Sequence, residues 1–300
     1  MDFIENIKDK LIHRVVECCP HCNSKTIVKF GKINGKTQRY RCKNCLGTFS
    51  QFTKTPLSYS KKPLETWATY IAALSNQNTL KVSAKLSGIC LTTSFYWRHK
   101  LLSSLKIQGV GEELSNEIQI KEFVMAKSNK GNHKNKDIVW RRHRWLKSLC
   151  MPMVKLISCV DTEQNRGMFP IDNIITGVQI KKYVLPKIKE GSTISTRRHK
   201  LYGPCAKEKS IKVKEFVLYN KGVMEKDFAS FQELWFKLFL KPFRGVSTKY
   251  LTFYSNWFIW MEKEKYGQYL SLAEKIMKGM NKLRGYEFPR VNLRGEVCPV

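Results

Sequence analysis

The sequence predicts an α/β protein in which a mixed β-sheet covered by helices follows two smaller modules. Three observations support this prediction. Two Cys-x-x-Cys pairs flank a short β-type stretch near the N-terminus, residues 60–106 have helical periodicity, and residues 114–262 combine strand-type runs with helical ones. The first module is therefore predicted to be a small sheet, the second to be helical, and the third to hold the main core.

The composition is that of a folded protein with a large positive charge. The chain has 300 residues, 42% of them hydrophobic, which is enough for two or three domains with one sizeable core. It carries 54 Lys and Arg against 24 Asp and Glu, a formal net charge of +30. This excess favours a polyanionic partner. Nucleic acid is the first candidate, because each phosphate contact adds affinity, and an anionic membrane surface is the second.

The cysteine usage and the hydropathy pattern indicate the compartment. We find no run of about 18 apolar residues that could span a bilayer and no secretion signal, so no membrane insertion is expected. Ten cysteines, five of them within residues 18–45, are too few and too unevenly spaced for a secreted disulfide scaffold. A reducing cytoplasm is the expected environment.

The N-terminal part predicts a short helix followed by a metal site. Residues 1–15 have the pattern of an amphipathic helix. In residues 16–52, thiolates spaced as two Cys-x-x-Cys pairs complete the tetrahedral shell of a structural Zn²⁺; these are Cys19, Cys22, Cys42 and Cys45. Two β-type runs around the turn signal Asn34-Gly35 predict a hairpin between the pairs. We therefore predict a zinc ribbon, in which the metal stabilises a segment too polar to form a core.

The alternatives for these four cysteines are a redox pair or two disulfides, but two pairs at this spacing favour zinc. Cys18 is expected to be a bystander, and His21 is expected to point to solvent. The ribbon is rich in Lys and Arg and almost without acid, so its surface should favour phosphate. Arg39 and Arg41 are its predicted DNA contacts.

Residues 60–106 predict a helix-turn-helix region. Thr79 can cap a short helix that ends before Gly88, and Thr92 can cap a second helix, an arrangement typical of that motif. The alternative is an ordinary helical hairpin. The apolar side chains expected to pack inward are Leu64, Trp67, Ile71, Leu74, Phe95, Leu101 and Leu102. The side chains expected near a DNA groove are Thr93, Ser94, Tyr96, Arg98 and Lys100.

Residues 114–262 predict a mixed sheet with helices on it. Strands are expected at 117–125, 154–160, 168–171 and 193–196, and a helix at 178–189. Residues 127–147 form a basic insertion that contains the sequence RRHRW. A later helix is expected to bury Phe228, Phe231, Leu234, Trp235 and Leu238, and residues 263–300 are expected to form a C-terminal helix and tail.

The order of these modules resembles that of bacterial insertion-sequence transposases, which place a zinc ribbon and a helix-turn-helix ahead of an RNase H-like DDE domain. CPHCNSKTIVKFGKINGKTQRYRCKNCLGTFS resembles the ribbon, LSGICLTTSFYWRHKLLSSL the DNA-reading helices, and FRGVSTKYLTFYSNWF the end of the catalytic domain. The resemblance covers residues 15–260. It implies an RNase H-like fold for residues 114–262 and double-stranded DNA with inverted-repeat element ends as the partner. It also implies a possible homo-oligomer associated with the bacterial nucleoid.

The resemblance also implies a reaction whose catalytic residues are missing here. The family uses three side chains, mostly carboxylates, to bind two Mg²⁺ ions for DNA strand cleavage and transfer. The matching positions are Lys121, Arg197 and, counted back from Gly245, Ser230. A unit charge about 4 Å from a divalent ion interacts by roughly 8 kcal/mol at an effective dielectric constant of about 20, so two reversed charges predict that Mg²⁺ is not bound.

Three alternatives are compatible with the sequence. The protein is an active transposase if Asp227 and Glu233, one helical turn to either side of Ser230, replace the lost acids. It is a DNA-binding regulator or a dominant-negative partner if it occupies element ends without cutting. It is an RNA-associated protein if it prefers single-stranded RNA. Glu122 should point to the opposite face of its strand from Lys121, and Asp161 and Glu163 are expected to be solvated turn carboxylates.

Overall fold

The structure is a computed structural model that describes residues 3–13, 15–33, 37–107, 113–128, 153–171, 174–217, 219–220, 223–224 and 227–263. The chain divides into two compact units, one within residues 1–109 and the other within residues 110–263. In the part of the chain that the structure describes, no helix is long and apolar enough to cross a membrane. The Asn34-Gly35 turn, the basic insertion from residue 129 onward and residues 264–300 lie outside the described residues.

The first unit begins with a helix and a small antiparallel sheet. Helix α1 (Phe3–Ile12) is followed by β1 (Ile27–Ile33), β2 (Thr37–Cys42) and β3 (Thr48–Ser50), which pair in that order. The predicted pairing of two strands between the cysteine pairs is confirmed by the antiparallel register of β1 and β2. Strand β3 was not predicted, because three residues are too few for a recognisable alternation of side chains.

Three helices complete this unit: α2 (Leu64–Ser75), α3 (Leu80–Leu86) and α4 (Leu91–Ile107). Thr79 caps α3 as predicted, since its hydroxyl accepts a hydrogen bond from the backbone N–H of Val82. The prediction that Thr92 caps α4 is wrong, because the helix already begins at Leu91. The residue before it, Cys90, accepts a hydrogen bond at its Sγ from the N–H of Thr93 at 3.4 Å.

Apolar packing joins these helices to one another and to α1. Trp67 of α2 stacks on Trp97 of α4 with 3.5 Å between ring centroids. Ile7 and Leu11 of α1 are fully buried, and α1 pairs with α2 through Lys8 and Glu65 at 2.8 Å. Burial of this large aromatic pair favours the packing of α2 against α4. Most of the predicted inward-facing residues are buried: Trp67, Ile71, Leu74, Leu101 and Leu102.

The second unit is built on a five-stranded mixed sheet, which confirms the predicted α/β class. Its strands are β4 (Glu117–Ala126), β5 (Met153–Asp161), β6 (Arg166–Ile171), β7 (Thr193–Thr196) and β8 (Lys212–Glu215). They lie in the order β6-β5-β4-β7-β8. The pairs β6–β5 and β5–β4 are antiparallel, and β4–β7 and β7–β8 are parallel. This topology, three antiparallel strands followed by parallel ones on the other side of the first strand, is RNase H-like.

Helical segments connect and cover the strands. Helix α5 (Gly177–Gln179) continues as a π-helical turn (Ile180–Val184) and a 3-10 turn (Leu185–Lys187), close to the predicted helix at 178–189. Helices α6 (His199–Ala206), α7 (Phe228–Leu240) and α8 (Leu251–Lys263) follow. Three further 3-10 turns span Lys207–Lys209, Lys241–Phe243 and Thr248–Tyr250, and β9 (Tyr219–Asn220) pairs with β10 (Val223–Met224).

Both faces of the sheet bury apolar side chains, since Leu156 and Val160 alternate along β5 with Ile157 and Cys159 and all four are buried. On one face, Ile118 and Ile120 of β4 and Cys159 of β5 join an aliphatic cluster with the segment after β6 and with Tyr202 of α6. On the other face, Gln119 accepts a hydrogen bond from the backbone N–H of Phe228 at 2.9 Å. The second face therefore positions the start of α7 through polar contacts.

Helix α7 buries a different stripe from the one predicted. Phe231, Leu234, Trp235 and Leu238 were expected to be core, but they are 39–55% exposed. The buried side chains are Ala229, Gln232, Phe236, Phe239 and Leu240. The helix is apolar on both sides, so periodicity alone does not distinguish the stripe that meets the sheet.

Candidate functional site

The four predicted zinc ligands form one cluster. Their sulfur atoms all lie within 4.8 Å of one another, with Cys19 and Cys45 at 3.6 Å and Cys22 and Cys42 at 3.5 Å. A tetrahedral site with Zn–S bonds of about 2.3 Å has S···S edges of about 3.8 Å. The donor set and its spacing therefore fit a structural Zn²⁺ ion.

Two turns of the same backbone shape present these thiols. In each, the residue after the second cysteine has a positive φ, 61° at Asn23 and 56° at Leu46. The N–H of the first cysteine in each pair donates to the carbonyl five residues later, at 2.8 Å for Cys19 and 3.0 Å for Cys42. Because both turns have left-handed residues and matching hydrogen bonds, the two halves of the site are equivalent.

The environment of the thiols suits a bound cation. Burial raises the pKa of Cys19 to about 12, so a thiolate there needs a positive charge beside it. Hydrogen bonding from the backbone of Cys45 lowers the pKa of Cys42 to about 6, which favours the ligand form. Cys18 is exposed and outside the cluster, as expected.

The ribbon sheet separates the cysteine cluster from a basic face. On the cluster side, Tyr40 stacks on Phe49 with 5.8 Å between centroids, and Phe49 packs with Cys19 and Cys42. Arg39 and Arg41 alternate with Tyr40 along β2 and so lie on the opposite face. Their guanidinium groups lie 5.7 and 5.4 Å from the ring centroid of Phe30. Their role in DNA binding stays a prediction.

Two of the side chains expected near a DNA groove are instead buried within the helices. Ser94 is fully buried and donates to the carbonyl of Leu80 at 2.9 Å. Arg98 is also fully buried, and its Nη2 donates to the carbonyl of Asn78 at 2.5 Å and to the Ser83 hydroxyl at 3.2 Å. The prediction for these two residues is wrong, because both satisfy backbone groups at the α2–α3 junction and around α3.

The other three candidates on α4 remain predictions. Thr93, Tyr96 and Lys100 are half-buried. Gly88, between α3 and α4, has a φ of 57°, a conformation that glycine adopts without strain. A capped short helix, a glycine turn and a longer second helix are thus present.

In the second unit, the structure brings two of the three family-matched positions into contact. The Nζ of Lys121, on β4, donates to the Ser230 hydroxyl of α7 at 2.6 Å. The same ammonium lies 3.0 Å from a carboxylate oxygen of Glu233. Arg197 directly follows β7, whose residue Thr196 pairs with Ile120 beside Lys121, and its guanidinium lies 5.9 Å from the ring centroid of Phe216.

The two acids on either side of Ser230 already have partners. Asp227 caps α7, since its carboxylate accepts from the backbone N–H of Ser230 at 2.8 Å and from the Ser230 hydroxyl at 2.5 Å. Glu233 contacts Lys121 and also Lys237, at 2.5 Å. Sequence reasoning missed Lys237, although its spacing of four residues from Glu233 is the signal for a helical ion pair.

This cluster does not fit a two-metal site. Burial alone would raise the pKa of Glu233, but hydrogen bonds from Lys237 and Lys121 outweigh it and lower that pKa. The carboxylate is thus ionised and neutralised by two ammonium groups of the protein itself. Among the described residues, the four cysteines are the only group of three or more His, Cys, Asp or Glu side chains placed to share a metal ion.

The remaining acids of the sheet have structural contacts. Glu122 forms an ion pair with Arg198 and accepts from the Tyr202 hydroxyl at 3.1 Å, on the face of β4 opposite Lys121, as the alternation predicts. Asp161 was expected to be solvated but is 1% exposed. It accepts from the backbone N–H groups of Ser115 and Asn165 and from the Asn165 amide, so it stabilises the β5–β6 turn.

The Glu233 contacts make a pH-dependent contribution to stability. Because the pKa of Glu233 is lowered in the folded protein, its stabilisation is present above its unfolded pKa of about 4.3 and is lost as the pH falls through the folded value. In the wild type the unfolding free energy should fall between pH 7 and pH 3. We expect this fall to be smaller in Glu233→Gln, as measured by urea unfolding. The control is Glu117→Gln, in the more exposed pair with Lys214. Equal pH dependence in the wild type and Glu233→Gln would contradict the expectation.

The fold and the cysteine site together describe an α/β protein with a mixed five-stranded sheet and a small sheet that carries a four-cysteine cluster. No family model matches the chain, and no curated protein matches it. Among solved structures, it is similar to a chain of the cryo-EM structure of the simian T-cell lymphotropic virus intasome in complex with PP2A regulatory subunit B56 gamma. The identity is 9% and the TM-score 0.33, over 64% of this chain and 67% of that one.

Proposed function

We propose that this protein is a transposase-like DNA-binding protein of an insertion sequence, which binds the ends of its element and does not cut them. The zinc ribbon and the α3–α4 helices would bind the DNA of the element ends. The RNase H-like domain would keep its fold without Mg²⁺.

The observation that carries this proposal is the position of the Lys121 ammonium. It lies 2.6 Å from the Ser230 hydroxyl and 3.0 Å from the Glu233 carboxylate, where the family resemblance expects carboxylates to bind two metal ions. A bound Mg²⁺ would be repelled by roughly 8 kcal/mol from a unit positive charge at about 4 Å and an effective dielectric constant of about 20. Lys121 therefore occupies the cluster as an internal cation.

Charge supports the nucleic-acid part of the proposal. The net charge of +30 gives affinity for any polyanion, and that affinity falls steeply with salt concentration as counterions are released. The contacts of Lys121 with Ser230 and Glu233 fit a regulatory role. In that role the protein would compete with an active transposase for element ends.

The test is an assay of binding and cleavage on one substrate. Duplex DNA carrying the inverted repeats that flank the gene is incubated with the full-length protein in Mg²⁺ or Mn²⁺. We expect a footprint on the repeats, a binding constant that falls by at least about tenfold between 50 and 200 mM salt, and no nicking. Duplex DNA without the repeats is the matched substrate for specificity.

Two results would overturn the proposal in different ways. Nicking that is abolished by Asp227→Asn or Glu233→Gln would show an active enzyme with off-register acids. Tighter binding to single-stranded RNA than to duplex DNA at the same salt concentration would favour an RNA-associated protein.

A further inference from the structure

The face of the ribbon sheet opposite the cysteine cluster combines an exposed aromatic ring with two guanidinium groups. We call it the Phe30 face, and it consists of Val28, Phe30, Arg39, Arg41 and Thr48. Phe30 is 45% exposed, although a benzyl side chain is normally covered by the core. Its guanidinium neighbours lie within 6 Å of the ring centroid, which is within cation–π range.

Strand alternation places the ring on this face, because Phe30 lies two residues after Val28, which pairs with Arg41. The pairing of β1 and β2 shifts register between Lys29 and Lys32, so Phe30 and Gly31 lie in a bulge. Gly31 has a φ of 71°, and its carbonyl accepts a hydrogen bond from the Gln38 amide at 2.7 Å. The bulge interrupts the regular pairing of β1 and β2 next to the ring, and bulges are over-represented at sheet edges and beside active sites.

The surroundings of the ring are basic and without acid. Residues 18–64 contain no Asp or Glu and ten Lys or Arg. Arg39 is positioned by a hydrogen bond from its Nη2 to the Thr48 hydroxyl at 2.8 Å. Among the described residues, no carboxylate forms an ion pair with Arg39 or Arg41, so both guanidinium groups can pair with phosphate.

We propose that the Phe30 face binds an unpaired DNA nucleotide, with its base stacked against the Phe30 ring and its flanking phosphates on Arg39 and Arg41. This rests on the proposed function and names the form of DNA that the ribbon takes. Aromatic stacking combined with basic side chains is the chemistry that recognises single strands. In a duplex both faces of each internal base are already stacked, so the ring would have no partner there.

The first experiment measures stacking directly. A single-stranded DNA oligonucleotide with one central 2-aminopurine is titrated with the full-length protein, and quenching of the 2-aminopurine fluorescence reports stacking. We expect Phe30→Leu, which keeps apolar area but removes the π-face, to weaken single-strand binding by about tenfold and to reduce the quenching. Its affinity for duplex DNA should stay within about twofold of the wild type.

The control variant is Tyr59→Leu, which removes an aromatic ring that is fully exposed in the same acid-free stretch. It should bind single strands as the wild type does. Zinc content is measured for each variant, because one zinc per chain shows an intact ribbon. Arg39→Gln and Arg41→Gln should each lower the slope of log affinity against log salt by about 0.7 on single strands.

The second experiment needs no variant. Single-stranded DNA containing 5-iodouracil is irradiated in complex with the wild-type protein, and the crosslinked peptide is sequenced. We expect the crosslink at Phe30. This measurement decides the matter if Phe30→Leu loses zinc.

Several outcomes would overturn the inference. One is a crosslink at another residue together with wild-type single-strand affinity in Phe30→Leu. Another is binding of single-stranded RNA that is as tight as, or tighter than, binding of single-stranded DNA. A third is Phe30-dependent binding to phosphatidylserine vesicles in place of DNA. If the protein binds duplex DNA but Phe30 has no effect on single strands, this inference alone fails. If it binds no DNA of either form, the proposed function fails with it.

Discussion

Replacing Cys42 by Ser is expected to release the zinc ion and to unfold the ribbon over residues 16–52. The sulfur of Cys42 lies 3.5 Å from that of Cys22 in a cluster whose four sulfur atoms are within 4.8 Å of one another. Among the described residues of the ribbon, Phe49 is the one buried member of its apolar cluster besides the cysteines, with Val16, Ile27 and Tyr40 partly buried against it. Structural Zn²⁺ contributes about 10–16 kcal/mol of apparent binding free energy in small zinc domains, which is as large as the whole stability of a typical domain.

The measurement is zinc content by mass spectrometry of metals, together with amide hydrogen exchange across β1 and β2. We expect about one zinc per chain in the wild type, less than a tenth of that in Cys42→Ser, and loss of exchange protection in both strands. Cys18→Ser is the matched control, because Cys18 is exposed and adjacent to the ligand Cys19 but outside the cluster. Full zinc content in Cys42→Ser would show that the cluster is not the metal site.

Replacing Phe236 by Ala is expected to destabilise the second unit by about 3–5 kcal/mol, the range for truncating a buried Phe. Phe236 is fully buried on α7 and meets the ring of Phe258 on α8, with 5.3 Å between centroids. The truncation removes apolar burial and leaves a cavity between the two helices.

The matched control is Phe231→Ala, the same substitution five residues earlier on the same helix. Phe231 is 55% exposed, so its loss should cost less than about 1 kcal/mol. Both variants are compared with the wild type by urea unfolding followed through hydrogen exchange or fluorescence. A larger loss of unfolding free energy for Phe231→Ala than for Phe236→Ala would contradict the structure. It would support the helix orientation that periodicity predicted.

The cluster around Lys121 balances its carboxylates with the protein's own ammonium groups. In a metal enzyme of this fold, carboxylates repel one another until cations bind. Here Lys121 supplies one positive charge between Ser230 and Glu233, and Lys237 supplies a second beside Glu233. The cluster is therefore neutralised without a bound ion.

The sequence predicted the four-cysteine cluster because its chemistry is local. Two Cys-x-x-Cys pairs limit where the thiols can lie, whatever the rest of the chain does. The alternation along β4 likewise predicted that Lys121 and Glu122 point to opposite faces, and the structure shows this in their contacts with Ser230 and Tyr202. Side-chain period follows from the backbone of a strand and needs no tertiary information.

The predictions of which polar side chains are exposed failed where a side chain can either face solvent or form hydrogen bonds inside the protein. Arg98 on α4 has the charge of a phosphate contact, but its long stem allows the guanidinium to reach the carbonyl of Asn78 inside the helical region. The exposure of Ser94 and Asp161 was also predicted wrongly. Small polar groups are stable when buried if enough hydrogen-bond donors and acceptors surround them. Each of these two residues has a partner that is far away along the chain, Leu80 for Ser94 and Ser115 for Asp161.

The amino-acid sequence by itself determined the four-cysteine site, the positive charge, the α/β class and the identity of the residues at the three family-matched positions. Only the tertiary structure decided which stripe of α7 is buried, that Asp227 and Glu233 are already engaged, and that Phe30 is exposed between two arginines. The physical reason is that spacing and charge are properties of the chain, whereas burial and pairing depend on which surfaces meet when the chain folds.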